Sequence, residues 1–164
     1  MMEGGDKMVK LETLVQQFLD NVVEQEKQVT NLQQTRDNLV VRQIEKIEEV
    51  ALKLLPVIQT IKNMGYKFHV EGIDYMSKRG PILGYNSFEG ELYVFDAESK
   101  CPCVINVHDN SVNNYSYSEL LKQFDFPHVM NNLISILNYY QRIQREYQGI
   151  IDRFESELNE YQNL

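Results

Sequence analysis

Val9–Asn63 reads VKLETLVQQFLDNVVEQEKQVTNLQQTRDNLVVRQIEKIEEVALKLLPVIQTIKN, with no Gly and a single Pro. Apolar residues recur at alternating steps of four and three: Leu11, Val15, Phe18 and Val22, then Val29 and Leu32, with polar Gln25 and Arg36 on the same seam. That spacing is the signature of one helical face. The next apolar set, Val40, Ile44, Ile47, Ala51, Leu54, Ile58 and Ile61, keeps the rhythm but is displaced by about one residue, as a stutter displaces a coiled-coil seam. The stretch therefore predicts one very long helix, slightly unwound near its middle. Pro56 lacks the N–H that would bond to Leu52 and predicts a kink, and Gly65 supplies the stop.

Beyond Gly65 the pattern changes. Tyr66-Lys67-Phe68-His69-Val70 alternates, Gly80 and Gly84 bracket Pro81-Ile82-Leu83, and Leu92-Tyr93-Val94-Phe95 and Val104-Ile105-Asn106-Val107 are strand-like runs. Turn residues separate them, which predicts three or four short antiparallel strands in a meander. Helix returns after Asn114. Ser116 and Glu119 form a capping box for a short helix to about Gln123, and Asp125 before Phe126-Pro127 starts another. From there Leu133, Ile136, Leu137, Tyr140, Ile143, Tyr147, Ile150, Ile151, Phe154, Leu158 and Tyr161 recur in heptads, with Gly149 a local weakness.

The expected fold is α+β: two long antiparallel helices forming a coiled-coil stalk, with a small antiparallel β-meander and a short helix inserted between them. The expected boundaries are a loose tail over 1–8, the first helix over 9–64, the β module over 65–114, and the short and long C-terminal helices over 115–164. If Ile61 lies beside Leu133 in the stalk, Tyr161 falls near position 33. The helix before Leu32 then overhangs by roughly 30 Å, and it carries Leu11, Leu14, Val15, Phe18, Leu19 and Val22. Such a stripe calls for a partner. It either folds back near Gln33–Asn38 or meets a second chain, and the absence of Gly and Pro from that stretch favours a homodimer.

Composition narrows the function. The 164 residues are 43% hydrophobic, too apolar for a disordered chain, and carry 24 acidic against 16 basic residues, a net charge of −8. Direct nucleic-acid binding, which needs a concentrated basic surface, is not expected. Two Cys do not make a secreted disulfide framework. The N-terminal residues lack a basic stretch leading into an apolar core, and no run is apolar enough to span a bilayer, so a cytoplasmic location without membrane contact is expected. Asn- and Gln-rich helices fit an AT-rich genome, such as that of a Gram-positive bacterium or its phage.

Candidate chemical sites are sparse. Cys101-Pro102-Cys103 would place two thiols on one strand face with His108 nearby, a weak zinc set without the usual C-x₂₋₄-C spacing or a second pair. Burial as small hydrophobes is the simpler reading of both thiols. His69 suits a surface cross-strand pair, His128 a first helical turn, and Lys78-Arg79-Gly80-Pro81 a solvated turn lacking the P-loop ending. Tyr115 and Tyr117, like Tyr139 and Tyr140, read as packing or as an interaction surface. No cofactor and no catalytic set is expected. The acid is spread along the chain, with net −2 over 1–64, −3 over 65–114 and −3 over 115–164, although Glu155, Glu157 and Glu160 gather near the end of the last helix.

The leading expectation is a non-enzymatic interaction or adaptor protein that self-associates through a coiled coil and presents a small β module to a protein partner. The alternatives are an acidic, DNA-mimic inhibitor of a nucleic-acid-processing protein, acting through Glu155, Glu157 and Glu160, and a small zinc protein using Cys101, Cys103 and His108.

Overall fold

The computed structural model describes residues 2–164, except for the side chains of residues 2–7 and 9. The expected loose tail over 1–8 falls largely on those residues, although the backbone of helix α1 (Met2–Lys53) is helical from Met2. The chain divides into two compact units, Met1–Gln43 and Ile44–Leu164. The first consists of α1 alone.

In the second unit, α1 ends at Lys53, Leu54 lies in a turn, and α2 (Leu55–Asn63) carries Pro56 in its first turn. The missing Pro56 N–H interrupts the ladder where the sequence predicts a kink, while Leu54 N still donates to the Val50 carbonyl and Ile58 N to that of Leu54. Gly65, at φ +78°, closes α2 in a Schellman motif: Gly65 N donates to the Lys62 carbonyl at 2.9 Å and Tyr66 N to that of Ile61 at 3.3 Å.

Four antiparallel strands, β1 (Ile82–Asn86), β2 (Glu91–Asp96), β3 (Cys101–Asn106) and β4 (Val112–Asn114), form a meander in the order β1-β2-β3-β4. Both sheet faces are covered, which explains the unbroken apolar run of β2. On one face Leu83, Tyr93 and Phe95 pack with Ile47, Ala51, Ile58 and Ile61 of α1 and α2 and with Leu120, Val129 and Leu133 of the later helices. On the other, Ile82, Leu92, Val94 and Cys103 are covered by Val70 and Ile73 of the loop that precedes β1. The register shifts by one residue between Ile82 and Gly84. Gly84 is required there, because a Cβ would stand 2.7 Å from the Phe124 ring.

Tyr66–Val70 is not the strand that its alternation suggests. It belongs to the covering loop, where Phe68 makes a single bridge with Ser77. The alternation arises because Phe68 plugs the helical side of the core, fully buried, while its neighbours do not.

The later helices are α3 (Tyr117–Gln123), α4 (Phe126–Ile134) and α5 (Tyr139–Glu160), with a 3-10 turn over Ser135–Asn138. Ser116 Oγ accepts from Glu119 N and Asp125 Oδ1 from His128 N, the two caps read from the sequence. The C-terminal helix is not continuous from Asp125, however. Ser135 Oγ donates to the Asn132 carbonyl, a local bond that competes with the α ladder, and the backbone tightens for one turn before α5 begins. A stalk made of the two long helices of one chain is not shown.

Candidate interaction surfaces

The two apolar seams of α1 meet different fates. Its later set is consumed by the core: Ile47 is fully buried, and so are Ala51, Ile58 and Ile61 along the continuation into α2. Its earlier set is bare: Leu11 is 62% exposed, Phe18 67% and Leu32 70%, and Leu14, Val15, Leu19 and Val29 are exposed as well. Val22, at 36%, is the least open of them. The displacement that reads as a stutter thus falls beside the boundary between the units at Gln43, where one helix changes from an exposed seam to a buried one.

A second bare stripe lies on α5. Its first turns are anchored: Tyr139 OH donates to the Lys67 carbonyl at 3.1 Å, Arg142 Nη1 donates to that of His69 at 2.6 Å, and Ile143 packs on the core. Beyond them Tyr147, Ile150, Ile151, Phe154 and Leu158 are exposed. Glu155, Glu157 and Glu160 are exposed on the same helix, Glu157 in a loose pair with Arg153 at 3.7 Å.

Where α5 leaves the core, it and the loop after Gly65 enclose an open cleft of about 460 Å³, within the size range of small-molecule sites. Tyr66, Met76, Tyr147 and Ile150 give it apolar walls, and Lys67, His69, Arg142 and Glu146 supply the polar groups. The Arg142 guanidinium sits 5.5 Å from the centre of the Tyr139 ring and 3.9 Å from Glu146. Sequence reading misses this site, because it joins residues about 75 positions apart; the only local hints are Tyr66 after Gly65 and Tyr139-Tyr140 at the start of α5.

Cys103 is buried beneath Ile82, Leu92 and Val94, and burial, reinforced by the Asp96 carboxylate, pushes its thiol up to about 11. Cys101 is half-buried with its Sγ donating to Ser99 Oγ at 3.1 Å. His108 stands instead over Gly90, and among the described residues no group of three or more His, Cys, Asp or Glu is placed to hold a metal. His128 stacks on Phe124, 14° from parallel. Arg79 reaches toward the buried Asp96 at 3.6 Å, which gives the basic turn an internal partner. Tyr115 packs on Tyr93, and Gln123 Nε2 donates to both phenol oxygens, at 2.7 and 2.8 Å. Tyr93 in turn donates to Glu91, and burial together with that carboxylate raises its phenol well above the ordinary value. Among the described residues no helix is long and apolar enough to cross a membrane. No protein-family model, curated protein or solved structure matches this chain.

Proposed function

We propose that this chain is a non-enzymatic interaction protein that dimerises through a coiled coil of α1 and presents its four-stranded module to a protein partner. The observation that carries the reading is the bare heptad seam of residues 11–32. Fully burying one Leu, Val or Phe side chain is worth about 1.5–3 kcal/mol, so a seam of this length outweighs much of the cost of association. A helix that packs on nothing is marginal in water, and an apolar face of this kind is how long helices obtain their stability.

The occupant that fits is a second copy of the same seam. In heptad terms Val15, Val22 and Val29 fall at a, and Leu11, Phe18 and Leu32 at d. β-Branched residues at a with Leu at d favour two parallel strands, and polar residues such as Gln25 at d and Arg36 at a fix the register. A two-fold dimer brings each residue beside its own copy, which makes the seam self-complementary. The pairing in this form is made between chains rather than between the two long helices of one chain. The exposed α5 stripe and its acidic residues are surfaces left for a partner, and a cytoplasmic setting agrees with two unpaired thiols.

The test is a crosslink. In a Cys101→Ser background, Val22→Cys on the seam is expected to give a disulfide-linked dimer on mild oxidation, whereas Asp20→Cys on the opposite face does not. Equal crosslinking of the two variants, or none from Val22→Cys, removes the parallel dimer.

A further inference from the structure

We propose that the cleft between α5 and the loop after Gly65 binds a small carboxylate carried on a flat apolar body, such as an aromatic acid. The centre of the site is Arg142. Its side chain is only 20% exposed, yet the one carboxylate within ion-pair distance among the described residues, that of Glu146, stands 3.9 Å from Nε and is itself 60% exposed. A pair this long and this wet compensates little of the desolvation of a largely buried guanidinium.

The remaining geometry holds the guanidinium ready rather than satisfied. Nη1 is fixed by the His69 carbonyl at 2.6 Å, and the plane is steadied by the Tyr139 ring. Nη2 makes no hydrogen bond to any described residue. A planar fork with free N–H groups matches a carboxylate, whose charge supplies the close counterion that Glu146 does not. Lys67 lines the same cleft, and an adjoining recess adds Arg145 and Glu71 beside His69, Arg142 and Glu146, so Lys67, Arg142 and Arg145 face the two carboxylates of Glu71 and Glu146 although the chain as a whole is acidic.

The walls select the rest of the ligand. Tyr66, Met76, Tyr147 and Ile150 are partly to largely exposed and offer aromatic, thioether and aliphatic surfaces around the polar centre. A ring that covers them removes apolar area from water while its carboxylate reaches Arg142. Every residue of the cleft belongs to the second unit, so the site is independent of the dimer.

The probe is phenylacetate titrated into the full chain and followed by backbone amide chemical shifts, with phenylacetamide as the uncharged control. Saturable shifts are expected at Tyr66, Lys67, His69, Arg142 and Tyr147. Affinity for the amide should be weaker by about tenfold or more, the difference made by one charge-assisted hydrogen bond. Arg142→Gln should remove the preference for the acid. Because that variant also loses the bond to His69, Tyr147→Glu provides a second test: it places a carboxylate on an exposed wall and should abolish binding with the fold intact. Equal binding of acid and amide, an unchanged affinity in Tyr147→Glu, or no saturable shift at the cleft overturns the proposal.

Discussion

Asn132 Nδ2 donates to the main-chain carbonyl of Leu83 at 3.0 Å, joining α4 to β1 at the point where the register shifts. The irregularity frees that carbonyl from the ladder, and Asn132, only 9% exposed, satisfies it where water does not reach. The same nitrogen lies 3.2 Å from His128 Nε2. Asn132→Ala should therefore lower stability by about 1–3 kcal/mol, the cost of leaving a buried acceptor unpaired. Urea unfolding measures it; a loss below about 0.5 kcal/mol, typical of a surface change, would show that the carbonyl finds another donor.

Tyr117 gives the opposite expectation. Its ring is buried at 7% exposure, and its hydroxyl has no hydrogen-bond partner among the described residues. Burial raises its phenol above the ordinary value of 10.0, and Glu48 and Cys101 push it the same way. Above pH 10 the unfolded chain ionises while the folded one keeps its proton, so the folded state binds more protons and stability falls as pH rises from there. Tyr117→Phe should match or exceed the parent at pH 7, by about 1 kcal/mol, and should flatten the alkaline limb of a stability profile. A clear loss at pH 7 would show that the hydroxyl has a partner after all.

The two thiols should separate kinetically. Cys103 is buried with its thiol pushed up to about 11, so it carries almost no thiolate at pH 8, whereas Cys101 is partly open. With a disulfide reagent such as DTNB, one thiol should react in the folded protein and the second only with unfolding, and Cys101→Ser should remove the fast phase. Two equally fast thiols would contradict the packing described for β3.

Much of this fold is legible in the residues, because its elements are built from local signals. The 4-3 rhythm reveals α1, the run Leu92–Phe95 reveals a strand, and Ser116 and Asp125 mark two helix starts through caps that the structure contains. What escapes is decided at long range. The heptad rhythm passes through Ser135 unchanged, so the 3-10 turn leaves no mark on it. Phe68 alternates like a strand residue although it is a loop plug. The displacement after Arg36 is visible, but only the burial of Ile47 beside the exposure of Leu32 shows that it separates a buried seam from an exposed one. The Arg142 cleft is the least legible part, since apart from the aromatic residues at its two ends neither half of it is unusual until the loop and α5 meet.

The central claim is that the bare seam of residues 11–32 is covered by a second copy. Sedimentation equilibrium of the intact chain at tens of micromolar tests it most directly. A folded species of twice the 19.3 kDa chain mass, reduced to the single-chain mass by Val15→Lys together with Phe18→Lys while the near-ultraviolet signal of the tyrosine-rich module persists, is the predicted result. A folded monomer of 19.3 kDa at that concentration, or a double variant that sediments like its parent, would contradict it.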